Sequence, residues 1–354
     1  MVYLDQKNYN FPKRIKKSAI LKLLAVLLII GGFVAFFSHK SGFSYVNTDL
    51  ENIDANLLPD NDFAPIKDPD RLNILALGIR GVDDENGGLL TDTIMLISIK
   101  KDTSNIALIS ILRDLYVYIT RTKRDKLNTV YAAGESIDWG GGGLTLAKKI
   151  VSQITGQYID YAISIDFNGF EKFIDTLGGI TISLNSPFME YKQWENYPEH
   201  IKEENKQYWR LNKEEQRWEL FIDKGTHLLD GEMTLYYARA RFSSNDFERT
   251  KRQQQIINAI RDKLFSIGIM ANPVKIFNIL DILNNHIKRD FTVLETKELL
   301  GFAQKTKNSM IIKKTLDDSE NGLLYSAMLE NLYVLLPVGN TYENIRNAVK
   351  NIFE

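Results

Sequence analysis

The sequence contains no cysteine, and its four histidines (His39, His200, His227 and His286) are widely scattered. The first absence excludes disulfides, iron–sulfur clusters, thiolate zinc sites and cysteine nucleophiles. The second leaves neither zinc-site spacing nor the makings of a Ser–His–Asp triad. An excess of one charge is missing too: 44 basic side chains stand against 45 acidic ones, for a net of −1. Such a balance offers no electrostatic footprint for a nucleic-acid partner. With 44% hydrophobic and 25% charged residues in 354 positions, the composition is that of a folded protein rather than a disordered or fibrous one. No internal repeat is present. Chemistry in such a chain falls to carboxylates, arginines and an added metal.

What is present begins with a long apolar run. Residues 18–37 read SAILKLLAVLLIIGGFVAFF, with Lys22 the one charged side chain. With Lys22 snorkelling to the headgroups, this run reaches the roughly 20 residues a bilayer crossing needs. Residues 1–17 ahead of it carry Lys7, Lys13, Arg14, Lys16 and Lys17 against Asp5, a net of +4. The positive-inside rule then predicts a cytoplasmic tail over 1–17, a single-pass transmembrane helix over 18–37 and everything later outside the cell membrane. A cleaved signal peptide is the rival, but FFSHKSG follows the run instead of an A-x-A-like site. Residues 38–70, with three prolines and six aspartates, suit an extended polar linker.

One folded domain is expected over 71–354. Leu72–Gly78, Thr93–Ile99 and Ile106–Leu112 are short apolar runs rich in β-branched residues, which favours buried strands. The run of four glycines at 140–143 fits neither a Walker loop nor a dinucleotide fingerprint and reads as a mobile loop. After it, LTLAKKIVSQI has helical spacing with Thr145 as its cap. A strand at Tyr161–Ile165, a helix at Phe167–Leu177 and a strand at Ile180–Leu184 come next. Strands interleaved with helices predict an α/β fold, a mixed or largely parallel central sheet sandwiched by helices.

Residues 188–222 form an insertion of different character. They hold three of the four tryptophans (Trp194, Trp209, Trp218) with Tyr191, Tyr197 and Tyr208. Such a segment is either an excursion pinned to the main sheet by its aromatics or a sugar-stacking flap. Further on, LETKELLGFAQKT is amphipathic and Leu332–Pro337 is strand-like. In the closing helix TYENIRNAVKNIF, Asn340 and Glu343 have capping-box spacing.

The chemically loaded stretch is LDGEMTLYYARARFSSNDFERTKRQQQ, residues 229–255. Asp230 can cap a short helix through Tyr237. If the chain leaves that helix extended, Arg239 and Arg241 point the same way. Ser244, Asn245 and Asp246 can cap a longer helix to about Leu264. Positions 249 and 253 follow Asp246 by about 300° and 700° of rotation, so Asp246, Arg249 and Gln253 share a face near a positive helix end. Arginines gathered at a helix N-terminus suit a multiply charged phosphate group; the bland counterpart is a solvated, salt-bridged helix start. A second cluster, GIRGVDDENGGLLTDT (residues 78–93), joins two expected strands and carries Arg80, Asp83, Asp84 and Asp92. Loops at the carboxyl ends of strands are where α/β sheets place ligands, and two carboxylates beside a pyrophosphate suit Mg²⁺; the alternative is a solvated acidic turn. Arg113 and Asp114 end a third strand, and the KLN of Lys126–Asn128 follows.

NILALG, TDTIMLISI, SILRDLYVYI with its KLN, IDYAISIDFNGFEKFIDTLGGITI, LDGEMTLYYARAR and DFERTKRQQQ occur here in that order. Together with the short N-terminal anchor, the chain resembles the LytR–CpsA–Psr family of cell-envelope proteins from about Leu72 to Leu264. The resemblance implies a membrane-anchored phosphotransferase. Its reaction would move a glycan from a polyprenyl-pyrophosphate carrier to peptidoglycan or another surface acceptor, using Mg²⁺, with the lipid in a hydrophobic cleft. On that basis Arg80, Arg113, Lys126, Arg239, Arg241, Arg249 and Gln253 would bind substrate. Asp92, with Asp83 or Asp84, would serve the metal. Asp92, Arg113, Arg239 and Asp246 would be the catalytic group. The chain departs from the family pattern at three places: Arg80 precedes Asp83, Leu90 stands where an arginine is frequent, and Leu112 where a proline is usual. Two rival functions remain at this stage, a polyprenyl-pyrophosphate hydrolase and a non-catalytic envelope protein that binds phosphorylated lipid or polymer.

Overall fold

The apolar runs that open the folded region become strands, and their pairing decides where the charged residues meet. The structure, a computed structural model, describes residues 65–81, 88–103, 105–120, 122–136, 142–191, 201–240, 246–266, 283–291, 310–329 and 331–354. The expected tail and anchor, most of the linker, Asp83, Asp84, Arg241, Trp194, Tyr197 and the stretch LETKELLGFAQKT lie outside those residues. No helix among the described residues is long and apolar enough to cross a membrane.

In chain order the strands and helices are β1 (Arg71–Ile79), β2 (Thr91–Lys100), β3 (Ile106–Ile111), β4 (Tyr116–Tyr118), β5 (Arg124–Lys126), α1 (Val130–Ser136), α2 (Gly142–Thr155), β6 (Tyr161–Ile165), α3 (Phe167–Thr176) and β7 (Ile180–Leu184). They continue with β8 (Phe188–Glu190), β9 (Trp209–Asn212), β10 (Arg217–Ile222), β11 (Gly225–Leu229), α4 (Gly231–Arg239), α5 (Asp246–Ser266), β12 (Ile287–Arg289), β13 (Ile311–Leu316), β14 (Leu324–Leu329), β15 (Leu332–Pro337) and α6 (Glu343–Lys350).

The central sheet has the order β12–β6–β1–β2–β3–β13. β1 runs antiparallel to β2 and parallel to β6, β3 runs antiparallel to β2 and parallel to β13, and β12 closes the sheet antiparallel to β6. The sheet is mixed rather than largely parallel, because β1–β2 and β2–β3 are antiparallel neighbours, which need no crossover helix between them. Side chains alternate along each strand, so each face gathers its own core. One face presents Ile74, Met95, Leu108 and Ile163 to α3, α4 and α5. The other presents Leu75, Leu96, Ile109 and Ala162 to α1, α2 and α6.

Three local expectations change. Gly142 and Gly143 open α2 instead of belonging to a loop, and Thr145 is buried inside the helix rather than capping it. A Cβ on Gly143 would sit 2.5 Å from the Tyr131 carbonyl oxygen, so glycine is what lets α2 press against α1. Asn340 does not cap α6. It adopts φ +57° after the turn at Gly339, and its Oδ1 accepts the Tyr325 hydroxyl at 2.6 Å, while Tyr342 precedes the helix.

The described part of 188–222 contains a three-stranded sheet, β8–β10–β9. Trp209 is buried edge-on to Tyr236 at 5.3 Å, and Phe188 meets Tyr237 at 4.9 Å. Asn205 adds hydrogen bonds to Asp230 (2.8 Å) and Glu232 (2.6 Å) at the start of α4. In the described part of the insertion, then, the pinned arrangement holds, and what it braces is α4.

Candidate functional site: an arginine mouth on an apolar cavity

Strand direction brings the site together. β1, β3 and β6 all point the same way, so the residues just past their ends meet at one edge of the sheet, where antiparallel β2 begins. Arg80 follows β1, Arg113 follows β3 by two residues, Asp166 follows β6, and Asp92 is the second residue of β2. The register between β1 and β2 slips there: Gly78 faces Thr93, Ile79 faces Thr91, and Asp92 is the extra residue. A bulge of this kind re-aims side chains. Strict alternation from Thr93, Met95 and Ile97 would send Asp92 to the opposite face, yet Asp92 and Thr93 both line the same cavity.

α4 and α5 supply the opposing wall. Asp230 caps α4, accepting from the Met233 amide at 2.9 Å, and Gly231 begins the helix where a Cβ would meet the Glu171 carbonyl oxygen at 2.2 Å. Arg239 is the last residue of this helix rather than part of an extended exit, and its guanidinium lies 4.5 Å over the Phe167 ring. On α5, Arg249, Gln253, Ile256, Ile257 and Ile260 line the cavity. Their spacing puts them along one stripe, charged near the helix start and aliphatic further on.

The cavity measures about 330 Å³, within the usual range for a ligand pocket. Arg80, Asp92, Arg113, Asp166, Arg239, Arg249 and Gln253 form its polar end. Beyond them Met95, Ile163, Phe170, Phe173, Leu235 and Ile260 continue as an apolar wall. Four guanidiniums against two carboxylates leave the described mouth positively charged.

Asp92 is the hub of that charge. Arg113 Nη1 donates to its Oδ1, and Arg80 Nε donates to its Oδ2 at 3.2 Å. Burial pushes the Asp92 carboxyl up, but Arg113, Arg80 and Arg249 together outweigh it and hold the group below its ordinary pKa. The carboxylate therefore stays ionised and keeps three arginines gathered before any ligand arrives.

Two features were missed by reading the sequence. Asp166 caps α3 by accepting from the Gly169 amide at 2.7 Å, and both its oxygens lie 3.0 Å from His286 Nδ1. Lys172 Nζ stands 2.8 Å from His286 Nε2. The lysine ammonium can only donate, so Nε2 accepts from it and Nδ1–H donates to Asp166. Arg252 is the second feature. Its Nε donates to the Tyr237 carbonyl at 3.1 Å and its Nη2 to that of Ala240, two carbonyls that flank Arg239. The spacing of Asp246, Arg249 and Gln253 gave no signal for either. His286 is 120 residues from its partner in the chain, and Arg252 looks like one more solvated cation in RTKRQQQ.

Six of the expected site residues thus come together: Arg80, Asp92, Arg113, Arg239, Arg249 and Gln253. Lys126 stands apart from the cavity lining and binds Asp114 at 2.6 Å, one residue from Arg113. Asp83, Asp84 and Arg241 lie outside the described residues. Asp246 opens α5, with its side chain likewise outside them. Among the described residues no group of three or more His, Cys, Asp or Glu side chains forms a metal cluster. A magnesium ion in such a place would rely on Asp92 and ligand phosphate oxygens, a donor set that Mg²⁺ commonly accepts.

The model of the LytR_cpsA_psr family matches residues 40–351. The polyisoprenyl-teichoic acid–peptidoglycan teichoic acid transferase TagU of Oceanobacillus iheyensis is 29% identical over 313 residues, 86% of each chain. TagT of Bacillus subtilis, with the same descriptive name, is 25% identical over 322 residues, 88% of this chain and 90% of that one. In fold the chain is similar to the LytR-CPS2A-psr family protein YwtF (TagT) solved with bound octaprenyl pyrophosphate lipid. The TM-score is 0.54 and the identity 20%, covering 87% of this chain and 99% of that one. A match across most of the chain, with the expected strands and arginines in order, places this protein in the LytR–CpsA–Psr family.

Proposed function

We propose that this protein is a phosphotransferase that moves a glycan-phosphate from a polyprenyl-pyrophosphate carrier to peptidoglycan or another cell-surface acceptor. The observation that carries this reading is the continuity of one cavity, in which an arginine mouth leads directly into an apolar wall. A soluble phosphorylated sugar needs the arginines but not the wall. A plain fatty ligand needs the wall but not four guanidiniums. A polyprenyl pyrophosphate uses both. The relatives' names point the same way, being those of transferases that act on a polyisoprenyl-linked polymer.

In this reading Arg80, Arg113, Arg239 and Arg249 hold the pyrophosphate, and Gln253 lies beside it. Asp92 orients the arginines and would hold Mg²⁺ against the phosphate oxygens. When bound, the ion neutralises pyrophosphate charge. An acceptor hydroxyl forms a new O–P bond at the glycan-linked phosphorus and gives its proton to a base. The bond to the bridging oxygen breaks, and polyprenyl phosphate leaves. Placement and electrostatic stabilisation of the departing charge supply most of the rate in such displacements. The apolar run at 18–37 and its +4 flank would keep the catalytic domain at the outer face of the cell membrane, where such a carrier and acceptor meet.

The test is transfer by detergent-purified protein given a polyprenyl-pyrophosphate oligosaccharide and peptidoglycan fragments, with Mg²⁺ or EDTA. Attachment of glycan-phosphate that EDTA abolishes and that Arg239→Ala lowers by about a hundredfold is the expected result. Release of free glycan-phosphate without attachment would identify a hydrolase. Binding without any turnover would identify a non-catalytic lipid-binding protein.

A further inference from the structure

Asp92 is the carboxylate to which the proposed function gives the metal, yet both of its oxygens already accept from arginines. Arg113 Nη1 donates to Oδ1, and Arg80 Nε donates to Oδ2 at 3.2 Å. The other carboxylate on the described cavity wall is committed as well. Asp166 accepts from the Gly169 amide at 2.7 Å and has His286 Nδ1 3.0 Å from both its oxygens. Each carboxylate oxygen keeps a second lone pair, so the obstacle to a metal at Asp92 is charge rather than count. A dication on Oδ2 would stand beside the Arg80 guanidinium, in a mouth where four guanidiniums already face two carboxylates.

The two arginines on Asp92 are not held alike. Arg113 is buried, and its Nε lies 3.6 Å from Asp114, which Lys126 binds in turn at 2.6 Å. Arg80 stands just past β1, next to Gly81 at φ +122°. Its side chain is 19% exposed against 10% for that of Arg113. Of the pair, Arg80 is the one that a ligand at the mouth can draw off Asp92 without disturbing a strand end and its ion-pair chain.

We infer that Arg80 is an internal competitor for the metal. It occupies Oδ2 of Asp92 until pyrophosphate draws its guanidinium away, so that pyrophosphate and Mg²⁺ enter the site as a pair. The inference deepens the proposed function and rests on it, because it takes pyrophosphate to be the anion that reaches the mouth. Phosphate oxygens offer Arg80 a charge-assisted partner comparable to the carboxylate it leaves, and they bring the negative charge that a dication needs. While Arg80 stays on Asp92, only the fraction of molecules with Oδ2 released can take the metal, and the apparent affinity falls by that fraction. Linkage makes the effect reciprocal: Mg²⁺ strengthens pyrophosphate binding by the factor by which pyrophosphate strengthens Mg²⁺ binding. Divalent cations around the protein therefore do not fill the site ahead of the donor.

The test starts with metal alone. Mn²⁺, an EPR-visible substitute for Mg²⁺ at an oxygen site, is titrated into the full-length protein in detergent without pyrophosphate. Arg80→Ala should bind Mn²⁺ roughly fivefold or more tightly than wild type. Arg80→Gln, closer in size, should show the same gain, and Arg80→Lys, which keeps the charge, should stay near wild type. Adding Asp92→Asn to Arg80→Ala should abolish the gain. Because the expected change is a gain, loss of fold cannot imitate it. Equal Mn²⁺ affinity in wild type, Arg80→Ala and Arg80→Gln would overturn the inference, as would a gain that survives Asp92→Asn. A short prenyl pyrophosphate, titrated with EDTA and then with Mg²⁺, gives the second reading. The metal should tighten its binding to wild type by a larger factor than its binding to Arg80→Ala; equal factors would overturn the exchange. If this probe binds wild type neither with metal nor without it, the proposed function falls, while the Mn²⁺ titration still decides whether Arg80 holds metal off Asp92.

Discussion

On one face of the central sheet, α1 and α2 press together so closely that Gly143 has no room for a side chain. On the other face α5 stands off the strands, and the gap beneath it is the cavity. Both faces use the same aliphatic residues at the same alternation along β1, β2 and β6. The difference lies in what closes over them. Short helices pack one side solidly, whereas on the other a long helix begins with Arg249 and Gln253 over the mouth and continues with Ile256 and Ile260 over the apolar wall. One face is packed solidly, and the other gives up packing to leave a cavity.

That contrast is open to attack first through stability. Ile150 lies in the solid core under α2, and Ile256 lines the cavity under α5. Ile150→Ala is expected to cost about 2–5 kcal/mol in denaturant unfolding, the range for a core truncation. Ile256→Ala should cost about 2 kcal/mol or less, since its side chain already lacks neighbours on the cavity side. Equal losses would mean that the two faces are packed alike.

A smaller effect separates the arginines proposed to hold the pyrophosphate from Arg252, which braces the end of α4. Arg252→Ala frees the carbonyls on either side of Arg239 and should weaken polyprenyl-pyrophosphate binding by about tenfold. In an Arg239→Ala background the same change should cost less than about twofold, because the group it positions is gone. The same loss in both backgrounds would show that Arg252 acts independently of Arg239.

The smallest effect is in acid. With its folded pKa held below the ordinary value, Asp92 contributes stability that is complete above the unfolded carboxylate pKa of about 3.9. That contribution is lost as pH falls through the lower, folded value. Asp92→Asn should remove this part of the acid limb, giving a shallower fall in unfolding free energy between about pH 5 and pH 2. An unchanged slope would contradict the ionised hub at the mouth.

Much of this arrangement is legible in the sequence, and for physical reasons. The boundaries of β6, β7 and β15 follow from short, largely apolar runs between turn residues. Asp230 and Asp166 each begin a helix, but only the first advertises itself within a motif dense in arginine. Arg249 and Gln253 share a face because helix geometry is regular. What stayed hidden depends on irregularity or on distance along the chain. Asp92 reaches the cavity only through a bulge that alternation does not foretell. Lys126 sits near the expected motif, yet Asp114 draws it away from the cavity lining. The His286–Asp166 contact joins strand ends that only the β12–β6 pairing brings together. The cavity itself is missing packing, which no pattern of hydrophobic residues records.

The central claim is that one cavity holds both a pyrophosphate and its lipid tail. It is tested most directly by measuring the affinity of purified protein for prenyl pyrophosphates of increasing chain length. Affinity should rise with length, by up to about 0.8 kcal/mol per buried CH₂, until the apolar wall is covered. Ala238→Phe, which narrows that wall, should flatten the rise while leaving the shortest pyrophosphates bound. Affinity independent of chain length in the wild type would show that the arginines act without the cavity, and would contradict the account.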